Sequence, residues 1–178
     1  LLGSSAHVHF QPFGVVGIIA PWNFPISLSL GPLIEVFAAG NNAMMKLSEF
    51  VPITSKLLEE LVNKYFTEDE IVVINGGVET SSNFTSLPFD HLLYTGSTAV
   101  AKKVCSAVAA NLVPVTLELG GKSPIVIGDK ADMKKSAQQI MTGKTVNAGQ
   151  ICIAPDYTFI TESKVDEFVN NAREFIQQ

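Results

Sequence analysis

Cys152 is the residue of this sequence whose type and surroundings first suggest covalent chemistry. It follows the irregular, glycine-containing segment Asn-Ala-Gly-Gln-Ile at residues 147–151, where the backbone could bring a thiol close to a ligand. A thiolate held there could attack a carbonyl carbon. Because a single cysteine is more often a small buried apolar residue than a nucleophile, the position alone does not decide between these two roles.

Two further side chains could assist such a nucleophile. Asn23 lies between Pro21 and Pro25, just after an apolar run. The two prolines would stiffen this turn and fix the direction of the Asn23 amide, which could then stabilise an oxyanion. An Asx-type turn at the end of a strand explains the same residues. Glu118 ends an apolar strand pattern next to two glycines, where a carboxylate could act as a general base or simply face solvent.

Short β-rich runs alternate with amphipathic stretches along the chain, the pattern of βαβ units around a mostly parallel sheet. The predicted strands cover residues 15–20, 43–46, 71–74, 91–94, 114–119, 124–127 and 157–160. Helical spacing predicts one helix after Pro52, one just beyond residues 95–97, one over 132–143 and one at the end of the chain. Ser163 and Asp166 form a capping pattern that would begin this last helix.

Composition and charge narrow the class of protein. Twelve basic and seventeen acidic residues give a net charge of −5 without a Lys/Arg cluster, so we expect no nucleic-acid partner. The apolar runs are far shorter than the ~20 residues that span a bilayer, so we predict no membrane segment in this chain. Cys105 and Cys152 lack a metal-type spacing, and free thiols favour a reducing, cytoplasmic location. Cys105 lies on the predicted helix that carries the stripe of Val100, Val104 and Val108, and it is interpreted as a packing residue.

Five motifs in order make the chain resemble the aldehyde dehydrogenase superfamily from residue 12 to 155. They are Pro-Trp-Asn-Phe-Pro at 21–25, Lys-x-Ser-Glu at 46–49, Thr-Gly-Ser-Thr at 95–98, Glu-Leu-Gly-Gly-Lys-Ser-Pro at 118–124 and Gly-Gln-x-Cys at 149–152. The runs at 114–124 and 154–157 look most like the branch of coniferyl aldehyde dehydrogenases and of fatty and aromatic aldehyde enzymes. Leu47 and Ala101 depart from the family's usual proline and glycine.

The resemblance implies catalytic roles for three residues. Cys152 would be the nucleophile, Asn23 the side-chain oxyanion donor and Glu118 the general base that activates water. The expected reaction is the NAD(P)-dependent oxidation of an aldehyde to a carboxylic acid through a cysteine thiohemiacetal and thioester. A coenzyme A-acylating enzyme is an alternative, and Glu118 speaks against it because that chemistry needs no activated water.

The resemblance also implies a cofactor site and a division of the chain. Lys46 and Glu49 would contact the adenosine ribose, and Gly96 and Ser97 would lie near the pyrophosphate, where a helix begins. Trp22 belongs to the same expected site. The cofactor is expected to be NAD, with NADP possible, because a carboxylate on the ribose hydroxyls disfavours a 2′-phosphate.

The Gly120-Gly121 pair is interpreted as a hinge between two domains. We expect a Rossmann-like, mostly parallel sheet with helices on both faces in an NAD-binding domain over residues 1–119. The beginning of a second α/β catalytic domain is expected over residues 120–178. Family members are much longer, so the chain is interpreted as a fragment of a homo-oligomeric enzyme, inactive by itself. A nucleotide-binding or structural module without activity is the remaining alternative.

Overall fold

Internal contacts divide the computed structural model, which describes residues 3–177, into two units. The first comprises Leu1–Leu119 and the second Gly120–Gln178, so the boundary falls at Gly120. Within the described residues, the first unit contains a five-stranded sheet and the second a two-stranded sheet. Each unit therefore has its own sheet.

The sheet of the first unit runs in the order β3-β2-β1-β4-β5. Its strands are β1 (Val15–Ile19), β2 (Asn42–Lys46), β3 (Ile71–Ile74), β4 (His91–Gly96) and β5 (Val115–Leu119). All four pairings are parallel. This confirms the predicted α/β fold with a parallel sheet. Since β1 and β4 are neighbours although β2 and β3 lie between them in sequence, the strand order reverses at β1.

Four helices cover both faces of this sheet. They are α1 (Ser27–Ala38), α2 (Pro52–Tyr65), α3 (Val78–Thr85) and α4 (Thr98–Val108). Ile18 of β1 packs in one core with α1 and α2. Leu92 of β4 packs in the other core with α3 and α4. The next residue, Leu93, is the register partner of Ile18 and points to the same face as Ile18, so Leu92 points to the opposite face. Because successive strand residues point to opposite faces, the two helix pairs lie on opposite sides of the sheet, as predicted.

Helices α1 and α3 are absent from the sequence-based prediction, and each has a local reason. Gly31 and Pro32 lie inside α1, and both residue types weaken a helix. The helix forms because Leu33 is buried in the first core, with neighbouring apolar residues packed beside it. Helix α3 is short and rich in Ser and Thr, and burial of Phe84 anchors it to the second core. Tertiary packing overrides weak local preference in both cases.

The second unit has the order β6 (Ser123–Val126), α5 (Met133–Thr145), β7 (Pro155–Phe159) and α6 (Val165–Ile176). The two strands are parallel, and α5 makes the crossover between them. Asp132 caps α5 by accepting a hydrogen bond from the Lys135 backbone N–H at 3.0 Å. One side of the strand pair stays uncovered, since Val126 is 77% exposed and Phe159 58% exposed.

The predicted capping of the last helix by Ser163 is wrong. Residues Glu162–Lys164 form a 3-10 turn, and no side chain caps α6. The reason is a set of contacts to the loop after β6: the Thr161 hydroxyl donates to the Asp129 carboxylate, and the Lys164 ammonium donates to the Asp129 carbonyl oxygen. These longer-range hydrogen bonds fix the entry to α6 in place of a local cap.

Candidate functional site

A cavity of about 510 Å³ lies at the carboxyl ends of β1, β2 and β4. Its floor is formed by the residues that follow these strands, and its sides by α3 and α4. The position coincides with the reversal of strand order at β1, where open parallel sheets bind ligands. The cavity is confined to the first unit of the chain.

Five residues of the predicted site line this cavity together. Trp22 comes from the turn after β1, and Lys46 and Glu49 come from the end of β2 and the residues after it. Gly96 and Ser97 contribute the end of β4 and the start of α4. The structure therefore brings together residues from three distant parts of the sequence, while their contact with a cofactor stays a prediction.

Lys46 and Glu49 form an ion pair at the wall of the cavity. Lys46 is only 1% exposed, and its Nζ donates to the Leu47 carbonyl oxygen at 2.6 Å and to Glu49 Oε2 at 3.4 Å. A buried ammonium is tolerated when it is paired and hydrogen-bonded in this way. The Glu49 side chain is 36% exposed, so the carboxylate keeps acceptor capacity for the hydroxyl groups of a ligand.

The turn between β4 and α4 is tightly built. Ser97 caps α4 by accepting a hydrogen bond from the Val100 backbone N–H at 3.4 Å. A Cβ at residue 96 would collide with the Tyr94 hydroxyl, so any other residue would require the phenol or the turn to shift. The resulting helix start offers free N–H groups and a positive dipole end, which suit a phosphate.

Tyr94 is a residue of this site that sequence reasoning missed. Its hydroxyl donates to the Ser97 carbonyl oxygen at 3.3 Å, and burial raises the pKa of the phenol, partly offset by its hydrogen bonds to Ser97. The phenol is therefore neutral near pH 7 and can act as a donor. A tyrosine in a buried strand run, just before a glycine turn, is the sequence signal that could have identified it.

The side walls of the cavity form a slot between two helices. On α3 the lining side chains are small or hydroxyl-bearing, and on α4 they are mainly apolar: Val78, Ser81, Ser82, Thr85, Val100, Lys103, Val104 and Ala107. A slot lined by small and apolar side chains suits a flat ring system. The sequence did not reveal it because α3 was not predicted.

The two other proposed catalytic residues of the first unit lie near the same edge of the sheet but outside the cavity lining. Asn23 is half-buried in the turn between β1 and α1. Glu118 is exposed on the edge strand β5, where its register partner is Thr95 of β4. Locally, Glu118 has the environment of a solvent-facing strand residue, the alternative that the sequence left open.

Cys152 belongs to the second unit, where it lies exposed in the turn before β7. The three residues Asn147, Ala148 and Gly149 before this turn have positive φ values of 49°, 55° and 77°. A Cβ at residue 149 would lie 3.1 Å from the Lys144 carbonyl oxygen. The glycine thus lets the chain turn back closely over the end of α5, leaving the thiol accessible.

Several other observations bear on the expected chemistry. Cys105 is half-buried on α4 and does not line the cavity. Ala101 and Leu47, the two departures from the family motifs, are both buried in core contacts of the first unit.

Among residues 3–177, no group of three or more His, Cys, Asp or Glu side chains could hold a metal ion. In the same part of the chain, no helix is long and apolar enough to cross a bilayer.

Comparisons with known proteins agree with these motifs. A family model, "Aldehyde dehydrogenase family", matches residues 2–178. The chain is 56% identical over 174 residues to a coniferyl aldehyde dehydrogenase of Pseudomonas sp. (strain HR199 / DSM 7063), covering 98% of this chain and 36% of that protein. Substrate-bound AldH of Staphylococcus aureus matches with a TM-score of 0.91 and 42% identity, over 94% of this chain and 36% of that chain.

A further solved structure adds a bound ligand to the comparison. An aldehyde dehydrogenase of Mycobacterium tuberculosis complexed with NAD+ matches with a TM-score of 0.86 and 33% identity. The match covers 93% of this chain and 35% of that one. The chain thus spans little more than a third of the length of the relatives that it matches.

Proposed function

Because the chain belongs to the aldehyde dehydrogenase family, we propose that its full-length protein oxidises an aldehyde to a carboxylic acid with NAD(P). The observation that carries this proposal is the cavity at the reversal of strand order, lined by the motif residues Trp22, Lys46, Glu49, Gly96 and Ser97. Since the chain covers only 36% of the similar Pseudomonas enzyme, the activity is proposed for the longer protein.

The first unit is proposed to be the NAD-binding domain and the second the start of the catalytic domain. The dinucleotide fits the residues present: Glu49 can accept from ribose hydroxyls, and the glycine at position 96 leaves a cradle before α4. The slot between α3 and α4 would receive the adenine ring. When bound, the nicotinamide supplies a hydride acceptor. The NAD+ in the similar Mycobacterium tuberculosis structure supports this assignment.

Cys152 is proposed as the nucleophile. Its thiolate would add to the aldehyde carbon, and the Asn23 amide together with the Cys152 backbone N–H would stabilise the resulting alkoxide. Loss of hydride from this thiohemiacetal leaves a thioester on Cys152. Glu118 would then take a proton from water, which attacks the thioester and releases the acid and the thiol.

The substrate is proposed to be an aromatic or fatty aldehyde. The similarity at 56% identity to a coniferyl aldehyde dehydrogenase supports an aromatic aldehyde. A homo-oligomeric assembly and a cytoplasmic location belong to the same proposal, and the two free thiols suit a reducing compartment. The 178-residue chain alone is proposed to show no turnover.

The proposal is tested on the full-length protein with a panel of aldehydes and NAD+. We expect one NADH and one carboxylic acid per aldehyde consumed, at a rate that does not depend on coenzyme A. Formation of an acyl-coenzyme A product would instead identify the acylating alternative. Absence of NADH with every aldehyde, in a protein that binds NAD+, would favour the module without activity.

A further inference from the structure

A second cavity, of about 430 Å³, adjoins the first and shares Ser48 and Glu49 with it. Its other lining residues come from α2 and from the segment after β3: Pro52, Ser55, Lys56, Glu59, Asn75, Gly76 and Gly77. Glu49 therefore stands between the two cavities. In the proposed function Glu49 contacts the adenosine ribose. A phosphate on the ribose 2′-oxygen beside Glu49 would therefore meet the second cavity.

The Glu59 carboxylate is fixed in this second cavity. Asn75 Nδ2 donates to Glu59 Oε2 at 2.9 Å and to the Ser55 carbonyl oxygen at 3.2 Å, which ties β3 to α2. Asn75 Oδ1 is buried and has no hydrogen-bond partner among the described residues. The two carboxylates of the lining, Glu49 and Glu59, are both acceptors.

Lys56 is the cation among the residues that line the second cavity, and it is directed towards another partner. Its Nζ lies 3.9 Å from Glu60 Oε1, and its side chain is 75% exposed. Solvent therefore screens the charge of Lys56, and Glu60 competes for it. The lining therefore carries two carboxylates, Glu49, which is paired with Lys46 at 3.4 Å, and Glu59, against the screened charge of Lys56.

We propose that Glu59, held by Asn75, acts with Glu49 to exclude a 2′-phosphate, so that the site selects NAD over NADP. The inference rests on the proposed function of the first cavity. A ribose hydroxyl is a donor and is compatible with an acceptor-lined cavity. A phosphate dianion is repelled by the two carboxylates, and displacing Glu49 would still leave it facing Glu59. This repulsion opposes the attraction of Lys56 and of the start of α3 at Gly77.

The experiment measures binding of NAD+ and NADP+, which differ only in the 2′-phosphate, to the 178-residue chain by titration calorimetry. Quenching of Trp22, the single tryptophan, which lines the first cavity, gives a second readout. Glu59→Gln keeps an oxygen acceptor for Asn75 and removes the charge. Glu68→Gln is the matched control, because Glu68 is exposed after α2 and lines neither cavity.

We expect the wild-type chain to bind NAD+ more tightly than NADP+. Glu59→Gln should lower the ratio of the two dissociation constants by about three- to tenfold, the range for a partly screened charge, and Glu68→Gln should change it by less than about twofold. An unchanged ratio in Glu59→Gln, or tighter binding of NADP+ by the wild type, overturns this inference alone. If neither dinucleotide binds, the cofactor site of the proposed function falls with it.

Discussion

The two units of this chain differ in how completely their sheets are covered. In the first unit, helices pack on both faces of five strands, and Ile18 at the centre is fully buried. In the second unit, two strands leave Val126, Tyr157 and Phe159 exposed on one side. The first unit presents a preformed cavity, whereas the second presents a thiol in an exposed turn.

This difference separates binding from chemistry. The proposed cofactor residues all belong to the first unit, so we expect dinucleotide binding to depend chiefly on contacts within this unit. The proposed catalytic residues are divided, since Asn23 and Glu118 precede the boundary at Gly120 and Cys152 follows it. Variants in the second unit should therefore change the rate while leaving binding of the dinucleotide intact.

The largest effect is expected for Cys152→Ala in the full-length protein. Without the nucleophile no thiohemiacetal forms, and aldehyde oxidation should fall by about 10³-fold or more. The affinity for NAD+ should stay within about twofold of wild type, because the cavity lies in the first unit. NADH formation and calorimetry provide the two measurements. Cys105→Ala, on α4, is the control, and comparable turnover in both variants would refute the role of Cys152.

The second prediction compares the two sheets directly. Ile18→Ala removes a fully buried side chain from the central strand and should lower the free energy of unfolding by about 2–5 kcal/mol. Val126→Ala, on the uncovered face of β6, should change it by less than about 0.5 kcal/mol in this chain. Urea unfolding followed by circular dichroism measures both. Equal losses would show that the exposed face contributes as much as the buried core.

The third prediction compares two glycines. In Gly96→Ala the new Cβ would meet the packed Tyr94 phenol, so the phenol or the turn must shift, and we expect NAD+ affinity to fall about tenfold. In Gly149→Ala the backbone has φ of +77°, which costs about 1 kcal/mol for a side chain, and the shift should lower turnover but not NAD+ affinity. Calorimetry and steady-state rates on both variants test this. A reversed pattern would contradict the separation of the two units.

The strands of the sheet could be predicted from the sequence because the patterns that mark them are local. The apolar runs of β1 to β5 have the length and flanking turns of buried strands, and Thr95 to Ser97 marks the step from β4 into α4. The same reasoning failed at α1, where Gly31 and Pro32 weaken the local helix signal. Packing of Leu33 and its apolar neighbours against the first core supports this helix. It failed at Ser163 because hydrogen bonds to Asp129 fix that turn.

The site shows the same limit. Lys46, Glu49 and Ser97 belong to recognisable motifs, so they could be named from the sequence, although nothing local shows that they line one cavity. Tyr94 and Asn75 carry no motif. Their importance comes from hydrogen bonds to Ser97 and to Glu59, which depend on how β4 and β3 are placed.

The smallest expected effect concerns His91 at the start of β4, in the first unit. Burial lowers the pKa of this imidazole, whose Nε2 lies 2.9 Å from Thr116 Oγ1 and whose Nδ1 is buried without a partner among the described residues. The unfolded chain therefore binds the proton on His91 more readily than the folded chain does. The contribution of His91 to the free energy of unfolding is present above the ordinary pKa of about 6.5 and declines as the pH falls below it.

His91→Gln removes this titration and should reduce the loss of unfolding free energy between pH 7.5 and 5.5 by less than about 1 kcal/mol, since solvent screens a half-buried ring. Urea unfolding at the two pH values measures the change. His7→Gln, in the exposed segment before β1, is the matched control. Because the ring stacks on Phe13 at 5.4 Å, Phe13→Leu should open the site to water and shrink the same pH dependence. If both the His91 and the Phe13 variants lose as much unfolding free energy between pH 7.5 and 5.5 as the wild type, His91 is not the titrating group. The group would then lie in the second unit or among the carboxylates.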